Sequence, residues 1–213
     1  MRIFVFSFLN KRAYIVFFAD LETQQLLVRL FFPTFTTMKR RKKALYFLLL
    51  IIIIGLVIPQ HFSVPVKGAT ANSYNAKSFW YYPWGKSGTH KGIDIFAKEG
   101  TTVTAATSGI TLYTGTISMG GNIIIMLGPK WRLHYYAHLK DISVHSLSWA
   151  GRGKAIATVG ATGNAAGKPP HLHYSIATLI PYVWRIDSDY QGWKKMFYLD
   201  PTVYVKEAAS SSR

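Results

Sequence analysis

The 213-residue chain contains no cysteine. A disulfide framework and a cysteine-based zinc finger are therefore excluded, and any zinc must be held by imidazole and carboxylate groups. Acidic residues are scarce, nine against 25 Lys and Arg, for a formal net charge of +16. That balance suits an anionic surface such as the cell wall, anionic lipid or nucleic acid. No recognition helix, zinc finger or RNP-like motif accompanies the charge, so nucleic acid is not an expected partner. The HExxH, GxSxG and GxGxxG patterns are all missing, which leaves serine or cysteine nucleophile chemistry without sequence support. Gly85-Lys86-Ser87 looks like the end of a phosphate loop, but Trp80 stands where that loop needs glycine.

Helical periodicity is also lacking beyond residue 59. Short runs rich in β-branched and aromatic residues (TTVTAA, GITLYTGT, NIIIML, RLHYYAHL, AIATVG and HLHYSIAT) alternate instead with glycine-containing turns. Fifteen of the 17 glycines lie between residues 85 and 192. This pattern predicts an all-β domain, a small antiparallel sandwich or open barrel.

Histidine carries the chemistry. Five of the seven histidines fall in His90-Lys-Gly-Ile-Asp94, in HYYAHL (His134 and His138), and in His171-Leu-His173; His61 and His145 stand apart. On a strand, His171 and His173 project to one face roughly 7 Å apart, so they can share a site without both touching one ion. His90 and Asp94 would be about 13 Å apart in a flat strand, too far for one metal. The chain must bend between them, and Gly92 at the midpoint permits it. A helix would also bring them together, but GTHKGIDIF, with two Gly and two Ile, argues against one. Beyond residue 59 the only glutamates are Glu99 and Glu207, neither beside these motifs. Proton traffic therefore falls to histidine, whose ordinary pKa suits general acid–base work.

THKGIDIFAKEGTTVTAATSGI, YYAHL and VGATGNAAGKPPHLHYSI together resemble the lysostaphin-type (LytM-like) zinc metallopeptidases that cut peptidoglycan cross-links. The likeness covers about residues 78–205. It implies a compact antiparallel β fold of the LytM-like, duplicated hybrid motif type. It implies one zinc per chain held by His90, Asp94 and His173, with His138 and His171 as the catalytic pair. Zinc-activated water would attack the peptide carbonyl; one of the pair would move a proton and the other stabilise the oxyanion, in either assignment. Family members often carry a tyrosine just before the first ligand, for which Tyr81, Tyr82 and Trp84 are the candidates here. His134 has no implied role. The segment from Leu179 to Pro201 is longer and more aromatic than a strand pair needs, and either forms a groove wall or packs under a loop.

The N-terminal part reads separately. Lys39-Arg-Arg-Lys-Lys43 precedes an unbroken apolar run, Ala44 to Ile58. Its length falls between a signal-peptide core and a spanning helix, and the basic block sets a cytoplasmic N-side. The expectation is one transmembrane or signal helix within residues 38–59, with residues 44–58 in the membrane. Residues 1–37 are an extension that is absent if translation starts at Met38. Residues 60–77 read as a flexible linker and 206–213 as a frayed tail.

The expected function is a zinc-dependent peptidoglycan endopeptidase acting on stem peptides in the bacterial cell envelope. The catalytic domain would be exported, anchored by residues 44–58, or secreted if the signal is cleaved. The alternative is a non-catalytic LytM-like module that binds the wall or activates another wall hydrolase. No protein partner can be named from the sequence.

Overall fold

A computed structural model describes residues 39–211. The readings of residues 1–37 lie outside that range. The chain divides into two compact units, Met1–Ile51 and Ile52–Arg213.

The basic block and apolar run form helix α1, Arg40–Val57. Its first four positions are Arg40, Arg41, Lys42 and Lys43. The fourteen that remain span about 21 Å, against a hydrocarbon core of about 30 Å. Among the described residues, no helix is long and apolar enough to cross a membrane. The expected helix is present, but the transmembrane reading of residues 44–58 is left without support.

The remainder is built on nine strands: β1 Ile93–Phe96, β2 Thr102–Thr104, β3 Gly109–Ile117, β4 Gly121–Gly128, β5 Arg132–Ile142, β6 Trp149–Ala150, β7 Ala155–Val159, β8 His171–Thr178 and β9 Tyr198–Leu199. Every pairing among them is antiparallel, as the alternating runs predicted. The main path of this open sheet runs β1-β8-β5-β4-β3-β6, while β7 joins β5 to β2. The long strand β5 pairs with β4 and β8 through its first part, then with β7 through its last residues.

Period-two patterning decides what each strand buries. Along β8, Leu172, Tyr174 and Ile176 enter the core, leaving His171, His173, Ser175 and Ala177 on the opposite face. Along β4, Ile124 and Met126 are fully buried. Tyr136 of β5 packs beside Tyr174, ring centroids 5.2 Å apart, and its hydroxyl accepts the Ala106 N–H at 2.9 Å.

Two expectations differ from the structure. The segment read as a flexible linker is bound along β2. Lys67 N–H donates to Thr102 O at 3.0 Å, Thr104 N–H to Pro65 O at 2.8 Å, and Ser63 N–H to Ala106 O at 2.8 Å. Val66 and Tyr74 belong to the core, and Phe62 and Val64 pack against it. Phe62, Val64 and Val66 alternate as an edge strand does, but Pro65 in their midst read as a loop signal. The chain end, read as frayed, is helix α2, Pro201–Ser211. Asp200 Oδ1 accepts from the Thr202 N–H at 2.9 Å and hydroxyl at 2.7 Å, Pro201 opens the helix, and Val205 and Ala208 are buried.

Candidate active site

Strand register assembles the site. β1 lies against β8 with Asp94 opposite His173 and Phe96 opposite His171. β5 lies on the other side of β8 with Ala137 opposite His173 and Tyr135 opposite Ser175. Directly opposed residues share a face, so Asp94, His171, His173, Ser175, Tyr135 and Ala137 all line one cleft of about 870 Å³.

His90 reaches this cleft from the turn before β1. The turn is held by Trp80 N–H to His90 O at 2.7 Å and His90 N–H to Tyr81 O at 3.0 Å. Gly92 is needed there, although not for a left-handed bend. A Cβ on it would sit 2.5 Å from Tyr174 O and 3.0 Å from His173 Cε1, so a side chain would push β1 off β8 beside the site.

Three candidate ligand atoms converge. His90 Nε2 is 3.1 Å from Asp94 Oδ1 and 3.1 Å from His173 Nδ1, and His173 Nδ1 is 2.8 Å from Asp94 Oδ1. Atoms at tetrahedral angles 2.0–2.1 Å from a zinc ion stand about 3.3 Å apart, close to that triangle. His90 Nδ1 lies 3.0 Å from Ser78 O. A carbonyl can only accept, so Nδ1 carries the proton and Nε2 presents a bare lone pair. That lone pair faces a carboxylate oxygen and a second imidazole nitrogen, an arrangement a divalent cation satisfies better than one shared proton. His90, Asp94 and His173 are the group suited to a metal among the described residues.

The electrostatics agree. Burial acts to raise the Asp94 pKa, but the imidazoles of His173 and His90 outweigh it and hold the carboxyl well below its usual range. Burial lowers the His173 pKa against the opposing pull of Asp94, favouring the neutral imidazole that metals require.

His138 and His171 flank the triangle, with ring centroids 5.0 Å apart and His138 6.0 Å from His173. Each Nδ1 meets a backbone carbonyl, Thr162 O at 2.9 Å for His138 and Pro169 O at 2.8 Å for His171. Each Nε2 is thereby left as a proton acceptor. Burial, aided by the charge of His173, lowers the His138 pKa to about 4, so its ring is neutral near pH 7.

Simple alternation would point His138 into the core beside His134 and Tyr136. A β-bulge prevents this. Asn122 pairs with Leu139 and Ile124 with Tyr136, so β5 carries one extra residue at Ala137-His138, where His138 takes φ of +62°. Bulges of this kind re-aim side chains. Thr162 braces it: its hydroxyl donates to Leu139 O and accepts the Asn122 N–H, each at 2.9 Å.

His134 stays on the core face and outside the cleft, consistent with its having no implied role. Its Nδ1 lies 2.7 Å from the Tyr174 hydroxyl and its Nε2 3.1 Å from Gln60 Nε2. Gln60 Oε1 accepts from Arg132 at 2.6 Å, so the amide group of Gln60 donates to His134. Complete burial, with Arg132 nearby, lowers the His134 pKa to about 3.

Of the three aromatic candidates before His90, only Trp84 lines the cleft. It stacks on the His90 ring at 4.1 Å and has no hydroxyl. Tyr82 packs on Tyr190 and Tyr81 edge-on to Trp84. The phenol the sequence reading passed over is Tyr135, on the cleft face edge-on to His173 at 6.1 Å. Its signal was the alternation of Leu133, Tyr135 and Ala137. From the Leu179–Pro201 segment, Tyr198 reaches the cleft.

Residues 88–183 match Peptidase family M23. The L-Ala--D-Glu endopeptidase of Bacillus subtilis is 32% identical over 124 residues, covering 54% of this chain and 37% of that protein. The murein hydrolase activator NlpD of Salmonella typhimurium is 34% identical over 90 residues, covering 42% of this chain and 23% of that protein. The chain thus spans well under half the length of these relatives. Among solved structures, the catalytic domain of the antimicrobial peptidase lysostaphin from Staphylococcus simulans is similar at 27% identity and a TM-score of 0.51, covering 65% of this chain and 98% of that one.

Proposed function

We propose that the chain, whose residues 88–183 match Peptidase family M23, is a zinc-dependent peptidoglycan endopeptidase of the bacterial cell envelope. The observation that carries this reading is the convergence of His90 Nε2, Asp94 Oδ1 and His173 Nδ1 beside two further histidines in one cleft. In it, His90, Asp94 and His173 hold the metal. A bound zinc would supply Lewis acidity and a water acidified toward neutral pH.

The remaining chemistry belongs to the chain. His138 and His171 each hold Nδ1–H on a carbonyl and line the cleft, so the Nε2 of either can take a proton from the nucleophile and pass it to the leaving amine. Trp84 and Phe96 pack against His90 and His171 and help keep water from those rings. Export fits the basic block and apolar run of α1 acting as a signal. Peptidoglycan stem peptides are the proposed substrate.

The likeness to NlpD favours a second reading, a module that activates another wall hydrolase. The full set of His90, Asp94, His138, His171 and His173 supports the catalytic reading over it, since an activator needs none of them. The test is release of cross-linked muropeptides by the purified chain with zinc, after chelation, and after zinc is restored. Zinc-dependent loss of cross-links is expected. No loss under any condition, with stimulation of a second hydrolase, would establish the activator reading instead.

A further inference from the structure

The charge lining the cleft is one-sided. Its lining includes Lys86, Lys91 and Lys168, and the single acidic side chain among the lining residues is Asp94, which the proposed function commits to the metal. Two lysines of the domain form ion pairs with carboxylates, Lys140 with Glu99 and Lys195 with Asp187 and Asp189, and both lie outside the cleft lining. Among the described residues, no carboxylate lies within ion-pair distance of Lys86, Lys91 or Lys168.

Their placement brackets the histidines. Lys168 lies just before His171, at the end of β8 where Phe96 stands opposite. Lys91 adjoins Gly92, which approaches Tyr174 and Ser175 further along the same strand. The Lys91 ammonium is fixed by donation to Ser87 O at 2.8 Å and Thr89 O at 3.3 Å. It is half-buried and so loses less to solvent screening than a free surface lysine. An ammonium has three donors, and two carbonyls leave one for a ligand.

We propose that the cleft selects peptides bearing free carboxylates on both sides of the scissile bond, with Lys91 receiving one and Lys168 the other. This rests on the endopeptidase reading and narrows it to acidic stem peptides over uncharged glycyl bridges. A cleft lined by one sign of charge focuses its field and draws the opposite charge. A metal at the triangle would add to the same field.

The test uses the zinc-loaded full-length chain and two cross-linked muropeptides, identical except that the carboxylates of one are amidated. Binding is measured by calorimetry and cleavage by the rate of appearance of the new amine. The free-carboxylate peptide should be favoured about five- to tenfold in both, with the preference shrinking as salt rises. Lys91→Gln and Lys168→Gln should each move the kcat/KM ratio of the two peptides toward one, chiefly through KM. Because Lys168 is exposed on a loop, its variant remains informative if Lys91→Gln fails to fold. Equal binding and equal cleavage of the two peptides would overturn the inference and leave the endopeptidase reading standing. Preferential binding without cleavage would uphold carboxylate recognition and overturn hydrolysis. Neither binding nor cleavage would overturn both.

Discussion

His134 and His138 sit four residues apart on the same strand and meet opposite fates. His134 is sealed in the core between Tyr174 and Gln60, neutral and remote from the cleft. His138 is turned out by a single extra residue and lines the cleft, its ring centroid 6.0 Å from that of His173. Residue type and spacing do not separate them. What separates them is the register of β5 against β4, a property of two strands together.

The largest effects should come from the triangle that His138 faces. His90→Ala, Asp94→Ala or His173→Ala each opens the only His/Asp cluster suited to a metal among the described residues. Activity should fall to background in all three, since a ligand set missing one member loses most of its affinity. Retention of a substantial rate by any of them would remove that residue from the ligand set.

Next in size are the two flanking histidines. His138→Ala and His171→Ala should each lower kcat by at least about 10²-fold, the usual scale for a positioned acid or base. Steady-state kinetics on muropeptides decides this, and near-normal turnover in either variant would exclude that residue from the catalytic pair.

His134→Gln should reverse the pattern, costing stability by about 1–3 kcal/mol while activity per folded molecule persists. The groups around this ring are Arg132, Tyr174 and Gln60. Its folded pKa of about 3 lies below the ordinary histidine value of 6.5. Between those values the unfolded chain binds a proton the folded chain refuses. The stability held by neutral His134 is therefore complete above about pH 6.5 and is lost as pH falls, at up to ~1.4 kcal/mol per pH unit. Urea midpoints at pH 7 and pH 5 should lie closer together in the variant than in the parent. An unchanged difference would show that His134 does not drive acid sensitivity.

The smallest effect should come from Thr162→Val. It removes the hydroxyl that joins Leu139 to Asn122 across the bulge but leaves the carbonyl that receives His138. A loss of about 1 kcal/mol is expected, with a rate change of only a few-fold. If denaturation shows no loss, the hydroxyl does not brace the bulge.

The same contrast explains what the sequence could reveal. HKGID and HLH were legible because one strand's alternation and one local bend bring their side chains together. The antiparallel β class was legible for the same reason, from runs that bury every second residue. His138 could be assigned to the site only through resemblance, because its bulge depends on Asn122 and Ile124 of another strand. The role of Gly92 was half legible: the close approach to Tyr174 and His173 exists only once β1 lies on β8. Phe62, Val64 and Val66 carried a strand-like alternation that Pro65 masked, and the Asp200-Pro201 pair carried a helix start that the β-branched residues Thr202, Val203 and Val205 and the serines at the end obscured.

The central claim is that one cleft holds a metal triangle and, distinct from it, a proton-handling pair. Metal analysis of purified, folded His138→Ala and His173→Ala, loaded with zinc side by side, tests it most directly. The account predicts about one zinc per chain in the first variant, matching the parent, and essentially none in the second. Loss of zinc from His138→Ala, or full retention by His173→Ala, would contradict it.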